Sequence, residues 1–229
     1  METIPYPRQH IQQAIQQRNL EELLHTAAAI HGHYCTGLAM GVVAGRELVS
    51  RIGASADGLE DLLVITETNN CASDGVQVVT GCTFGNNGLI FRETGKIAFT
   101  IVNRGKAAFR IVVRPDAREF LRTKYAEFSD SYQKVIVNQS RDEATVEEFK
   151  IHGYHKAMVT IKQPFEQLFT IQKTEIPDLP DFAKATETVI CSMCQEPVME
   201  NHTVEINQDF VCFSCSNSEI RELNGNGMK

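Results

Sequence analysis

His31-Gly32-His33-Tyr34-Cys35-Thr36-Gly37 is the stretch on which the fold of this chain turns. Imidazole and thiol side chains stand on alternate residues, with helix-forming sequence on both sides. Upstream, Leu20, Leu23, Leu24, Ala27, Ala28 and Ile30 recur at helical spacing. Asn19 is placed to cap them, and Glu22 completes a capping-box pattern. A helix is predicted over residues 19–31, with Gly32 in the turn just past its end. Cys35 or Thr36 then starts a second helix, running to about Arg51. The seven quoted residues are therefore a tight connection between two helices.

In an extended connection, residues two apart point the same way, so His31, His33 and Cys35 can face one space. Imidazole and thiolate are good ligands for first-row divalent metals. Cys35 also stands where a helix begins, and the positive end of the helix dipole favours thiolate. From the residues alone, three readings stay open: a metal site, a reactive thiol, or inert buried His and Cys.

The second helix carries Gly37, Ala39, Gly41, Ala44 and Gly45. Each Gly costs about 1 kcal/mol relative to Ala in a helix interior. Close approach of another backbone is the expected compensation, either packing against a sheet or pairing with a second copy across a dimer interface.

Further on, residues 62–66 read as a buried strand and residues 67–75 hold a short helix, which 76–79 either extend or follow as a strand. Residues 80–88 are a Gly/Asn-rich loop. Residues 96–102 and 107–113 form a hairpin about Asn103-Arg104-Gly105-Lys106. Asp116 with Glu119 starts a helix to about Glu127. Ser140 with Glu143 starts another, carrying Tyr154 and Met158 and stopped by Pro164. Residues 168–171 are a late strand. Pro177 and Pro180 mark a linker, giving a core over 1–175, a linker over 176–189 and a small module over 190–223.

That module holds Cys191-x-x-Cys194 and Cys212-x-x-Cys215, 17 residues apart, the spacing of a four-cysteine structural zinc site. Residues 197–199 and 204–206 suit a hairpin, and residues 216–223 a helix, a treble-clef-like arrangement. Four thiolates close the shell and leave no place for substrate. His202 reads as an exposed hairpin residue, and His25, His152 and His155 as surface or packing residues.

Composition narrows the function classes. The chain has 229 residues, 42% of them hydrophobic, with a net charge of -7. No basic block is present to hold duplex nucleic acid. With no Trp and 7% aromatic residues, base stacking has little to work with. No run approaches the ~18 apolar residues of a membrane span. The first residues do not read as a signal peptide, and seven Cys without one point to a reducing, cytoplasmic setting.

The His31-x-His33-x-Cys35-x-Gly37 pattern resembles the signature of proteins similar to FmdE, a component of formylmethanofuran dehydrogenase. So do Glu67 with Asn70-Cys71-Ala72-Ser73-Asp74-Gly75, Thr80-Gly81-Cys82-Thr83-Phe84-Gly85-Asn86, and Gly95-Lys96-Ile97-Ala98-Phe99. The resemblance implies an α+β core, an antiparallel or mixed sheet packed with helices. It also implies a homodimer and, in some members, an appended zinc module. It gathers His31, His33, Cys35, Cys71 and Cys82 about one core site, lined by Asp74, for a second divalent metal such as zinc, nickel or iron. The role implied is metal-binding and accessory or redox-linked, within a larger oxidoreductase complex of one-carbon metabolism. The alternative is a free-standing metalloenzyme acting on a small molecule, with Cys35 as ligand or nucleophile. No cluster-type cysteine run, P-loop or dinucleotide fingerprint is present.

Overall fold

Asn19 caps the helix it precedes: its Oδ1 accepts from Glu22 N at 3.1 Å. Helix α2, Leu20–His31, ends on Gly32 at φ 91°, and α3, Thr36–Ile52, begins after the extended Cys35. A short helix α1, Gln9–Gln16, comes first. These belong to a computed structural model that describes residues 6–54 and 58–229. The chain divides into two units, Met1–Asp178 and Leu179–Lys229.

The first unit is α+β. Strands β1 (Leu62–Thr66), β2 (Leu89–Phe91), β3 (Ala98–Asn103), β4 (Ala107–Val113) and β5 (Phe169–Thr174) form one sheet in the order β2-β1-β3-β4-β5. β1 and β2 run parallel and the other pairs antiparallel, so the sheet is mixed. The hairpin predicted about Asn103 and Lys106 is β3–β4, in register Asn103↔Ala107. All five residues of β1 and the first five of β3 are buried, as apolar, β-branched central strands should be.

The residues left open between helix and strand continue a helix: α4 runs Cys71–Thr80 and stops at Gly81, φ 79°. The helix expected from Asp116 to Glu127 is α5 (Ala117–Lys124), ended early by extended backbone at Tyr125; a further helix, α6 (Glu127–Tyr132), follows it. The buried Lys156 ammonium donates to the Leu121 and Tyr125 carbonyls, satisfying the end of α5. Helix α7, Glu143–Ile161, is capped by Asp142 rather than Ser140, through Thr145 N at 2.9 Å. A short α8, Phe165–Leu168, leads into β5.

Helix α3 is the hub of this unit, packing on α2, α4 and α7 and on strands β3 and β4. Its glycines meet α4, where the sequence left a sheet or a second copy open. Gly37, Gly41 and Gly45 recur at every fourth residue and form one stripe. A Cβ on them would meet Cys71 Cβ at 3.1 Å, Ala72 O at 2.0 Å and Val79 Cβ at 3.0 Å, respectively. Gly75 on α4 answers from the other side, 2.6 Å from Leu38 O by the same measure. The two backbones are in contact, which is the compensation that glycines in a helix require.

The second unit is built of hairpins. β6 (Thr188–Ile190) pairs with β7 (Pro197–Met199), and β8 (Thr203–Ile206) with β9 (Asp209–Cys212). A last pair joins β10 (Leu223–Asn224) to β11 (Gly227–Met228). Residues 197–199 and 204–206 therefore do not pair with each other: each partners the strand beside its own Cys-x-x-Cys turn. The helix expected over residues 216–223 does not form; this stretch is turns and extended chain leading to β10.

Candidate metal centres

In the core, three helix ends meet. His31 is the last residue of α2, Cys35 the N-cap of α3, and Cys71 the first residue of α4. The α3–α4 contact brings the two cysteines together, and Gly37 between them leaves room for Cys71 Cβ. Asn70 fixes the start of α4, its Oδ1 accepting from Ala72 N at 3.0 Å. Cys35 Sγ accepts from Leu38 N at 3.3 Å.

One donor atom from each of His31, His33, Cys35 and Cys71 lies within 4.8 Å of the other three. His31 Nε2 stands 3.9 Å from Cys35 Sγ, near the ~3.6 Å separating N and S on a tetrahedral zinc. The other ring nitrogen of His31, Nδ1, donates to Asp74 Oδ2 at 2.7 Å. This carboxylate–histidine pair fixes the tautomer and leaves Nε2 free for the centre. Two imidazoles and two thiols, with one imidazole so oriented, fit a divalent metal of borderline softness. His33 is exposed, its ring 4.4 Å from that of His31, so this corner faces solvent.

The connection is held from outside as well. A Cβ on Gly153 of α7 would lie 2.6 Å from Tyr34 O, so the helix presses directly on the loop. The Tyr34 hydroxyl is 2.7 Å from His25 Nδ1, and its ring packs edge-on against Tyr154. His25 and Tyr154 are thus packing residues of the site. Gln77, not singled out from the sequence, donates to Asp74 Oδ1 at 3.2 Å; its place one turn after Asp74 on a helix was the available signal.

Cys82 is not one of the four. It follows the far end of α4, fully buried, with its Sγ donating to Leu62 O at 3.3 Å. Burial pushes its thiol up to about 12, which makes it inert near neutrality. The thiol reactivity expected of Cys35 also moves. A hydrogen bond from Cys35, helped by His33 and His31, draws Cys71 down to about 4 despite its burial. The same bond and burial push Cys35 up.

One expected result is that, after chelation, iodoacetamide labels Cys71 before Cys35. Far above its pKa the thiolate fraction stays near one, so lowering the pH from 8 to 6 should leave the rate flat. An ordinary thiol, titrating near pH ~8.5, would slow about tenfold per unit. Earlier labelling of Cys35, mapped by peptide mass, would contradict this.

In the second unit, Cys191, Cys194, Cys212 and Cys215 place their sulfurs within 4.8 Å of one another. Cys194 and Cys212 are 4.0 Å apart, against the ~3.8 Å of a tetrahedral four-thiolate site. Backbone N–H groups, first that of Cys194 and then that of Cys212, converge on Cys191 Sγ and lower its pKa to about 6. His202 lies outside the cluster, exposed and against the Phe213 ring.

Known proteins share this core. The sequence profile of the family described as FmdE, molybdenum formylmethanofuran dehydrogenase operon, matches residues 30–170, which include the four core donors. A probable S-adenosyl-L-methionine-binding protein of Archaeoglobus fulgidus is 32% identical over 211 residues, 90% of this chain. The chain spans 56% of that relative's length. The crystal structure of a tungsten formylmethanofuran dehydrogenase FmdE-like protein from Syntrophus aciditrophicus has the same fold. It is 20% identical, with a TM-score of 0.50, over 86% of this chain and 91% of that one.

Proposed function

The chain belongs to the FmdE family, and from that membership and its core site we propose that it is a metal-binding accessory protein of a larger oxidoreductase assembly. The observation that carries this reading is the set of four donors gathered from three helix ends. His31, His33, Cys35 and Cys71 would hold one divalent metal, zinc, nickel or iron. Four protein ligands fill a tetrahedral shell and leave no position for a substrate, which favours a binding or redox-linked role over hydrolysis. The tail cysteines would hold a structural zinc. One-carbon metabolism is the setting that the family resemblance suggests, and the seven cysteines suggest a reducing, cytoplasmic one.

A second reading, a free-standing metalloenzyme, is favoured by the exposure of His33. Were that imidazole to leave the shell, the metal would gain an open position. His31, Cys35 and Cys71 would then remain as its ligands. Purification from a native extract, with metal analysis on the same sample, separates the two. The accessory reading expects co-purifying oxidoreductase components. A chain that travels alone and turns over a small molecule would contradict it.

The proposal includes a homodimer, as the resemblance implies. The glycine stripe of α3 no longer bears on it, since α4 occupies that face. Light scattering at micromolar concentration should give about twice the 25.6 kDa chain mass, and a clean monomer would contradict it.

A further inference from the structure

We propose that Gln77 is a positioning residue of the core centre, through which the loop of residues 83–88 bears on the His31 ligand. The proposal rests on the reading that the core binds a metal. Four groups line up. His31 Nδ1 donates to Asp74 Oδ2 at 2.7 Å, and Gln77 Nε2 donates to Asp74 Oδ1 at 3.2 Å. Gln77 Oε1 in turn accepts from Phe84 N at 3.4 Å. A carboxylate only accepts and a backbone N–H only donates, so the two ends of the Gln77 amide cannot be exchanged.

The Asp74 side chain is 40% exposed, and among the described residues Gln77 is the side chain that holds its second oxygen. A carboxylate so exposed has several rotamers open to it. Gln77 selects the one that faces His31. The loop beyond is itself shaped by a single side chain. Asn86 Oδ1 accepts from Thr83 N at 2.9 Å and Gly88 N at 3.0 Å, while its Nδ2 donates to Gly81 O at 2.8 Å. Asn86 thus fixes where Phe84 N points, Phe84 N fixes Gln77, and Gln77 fixes Asp74. The Phe84 ring is 83% exposed on this loop.

The test uses the full chain loaded with Zn²⁺ and titrated with a chromophoric chelator, the tail metal serving as internal reference. Cobalt absorption of the core site is read in parallel. Gln77→Ala and Gln77→Met should both weaken the core metal about 10-fold or more, within the ~10–100-fold range of lost outer-shell partners, and leave the tail unchanged. Gln77→Met keeps the length and volume of the side chain, so retention of full affinity by this variant would mean that Gln77 only packs, and would overturn the proposal. Asn86→Ala should weaken the core metal in the wild-type background and add nothing to Gln77→Ala. If its effect persists there undiminished, or never occurs, the loop does not act through Gln77. A wild-type chain that takes up metal in the tail alone would overturn the core-metal reading and this inference together, an outcome distinct from unchanged core affinity in the Gln77 variants.

Discussion

Gly41→Ala should destabilise the first unit at or beyond the top of the ~1–3 kcal/mol range for overpacked cores, and should strip the core metal as well. The added Cβ would lie 2.0 Å from Ala72 O and 2.8 Å from its carbonyl carbon. Restoring ordinary contact, about 3.5 Å, requires α3 and α4 to part by more than ~1 Å. Backbone, not a flexible side chain, is what the methyl meets, so no rotamer change relieves it. Cys35 begins one of these helices and Cys71 the other. Metal–ligand distances tolerate about ±0.2 Å, so the helix separation is many times what the centre can absorb. Thermal unfolding and metal content, measured on one sample, check both parts. Wild-type stability with full metal would show that the α3–α4 contact is not what assembles the site.

Removal of the tail metal should unfold the second unit and leave the first folded. Within Leu179–Lys229 the buried hydrophobic residues are Cys191 and Val211, while Ile190, Met193, Met199, Phe210 and Leu223 are exposed. So small a core cannot offset the backbone entropy of its ~50 residues, and two-stranded hairpins are marginal by themselves. Structural zinc supplies about 10–16 kcal/mol of binding free energy in small modules. Cys194→Ser breaks the shell and should lose most of that. Limited proteolysis should cut throughout residues 179–229 of the variant, with the core fragment surviving. A protected tail without metal would mean that something other than the metal holds it.

The local features of this chain were legible because their causes are local. Asn19, Glu22 and Gly32 set the ends of α2 within a few residues, and the β3–β4 hairpin follows from two β-prone runs about Gly105. The convergence of His31, His33 and Cys35 needed only the short connection between α2 and α3. Cys71 and Cys82 show where such reading stops. Both stand beside polar turns, and the family resemblance grouped them together. The ten-residue helix α4, which Cys71 begins, separates them by about 15 Å, so only one end can reach the site. Which end does depends on how α4 crosses α3, a tertiary contact written in Gly41 and Gly75 but attributed from sequence to a sheet or a second copy. The protonation of the two thiols was equally out of reach: the helix dipole favoured Cys35, whereas burial and the Cys35–Cys71 hydrogen bond place the charge on Cys71. In the tail, cysteine spacing disclosed the four-sulfur cluster but not the strand pairing, because runs of three or four residues carry too little periodicity to choose a partner.

The central claim, a metal held in the core by His31, His33, Cys35 and Cys71, is tested most directly by counting metal ions per chain in the full-length protein and in the Cys35→Ser, Cys71→Ser double variant. The expected result is two ions per wild-type chain and one in the variant, the remaining ion being lost when Cys194→Ser is added. A wild-type chain that carries one ion, untouched by the core substitutions and abolished by Cys194→Ser alone, would contradict it.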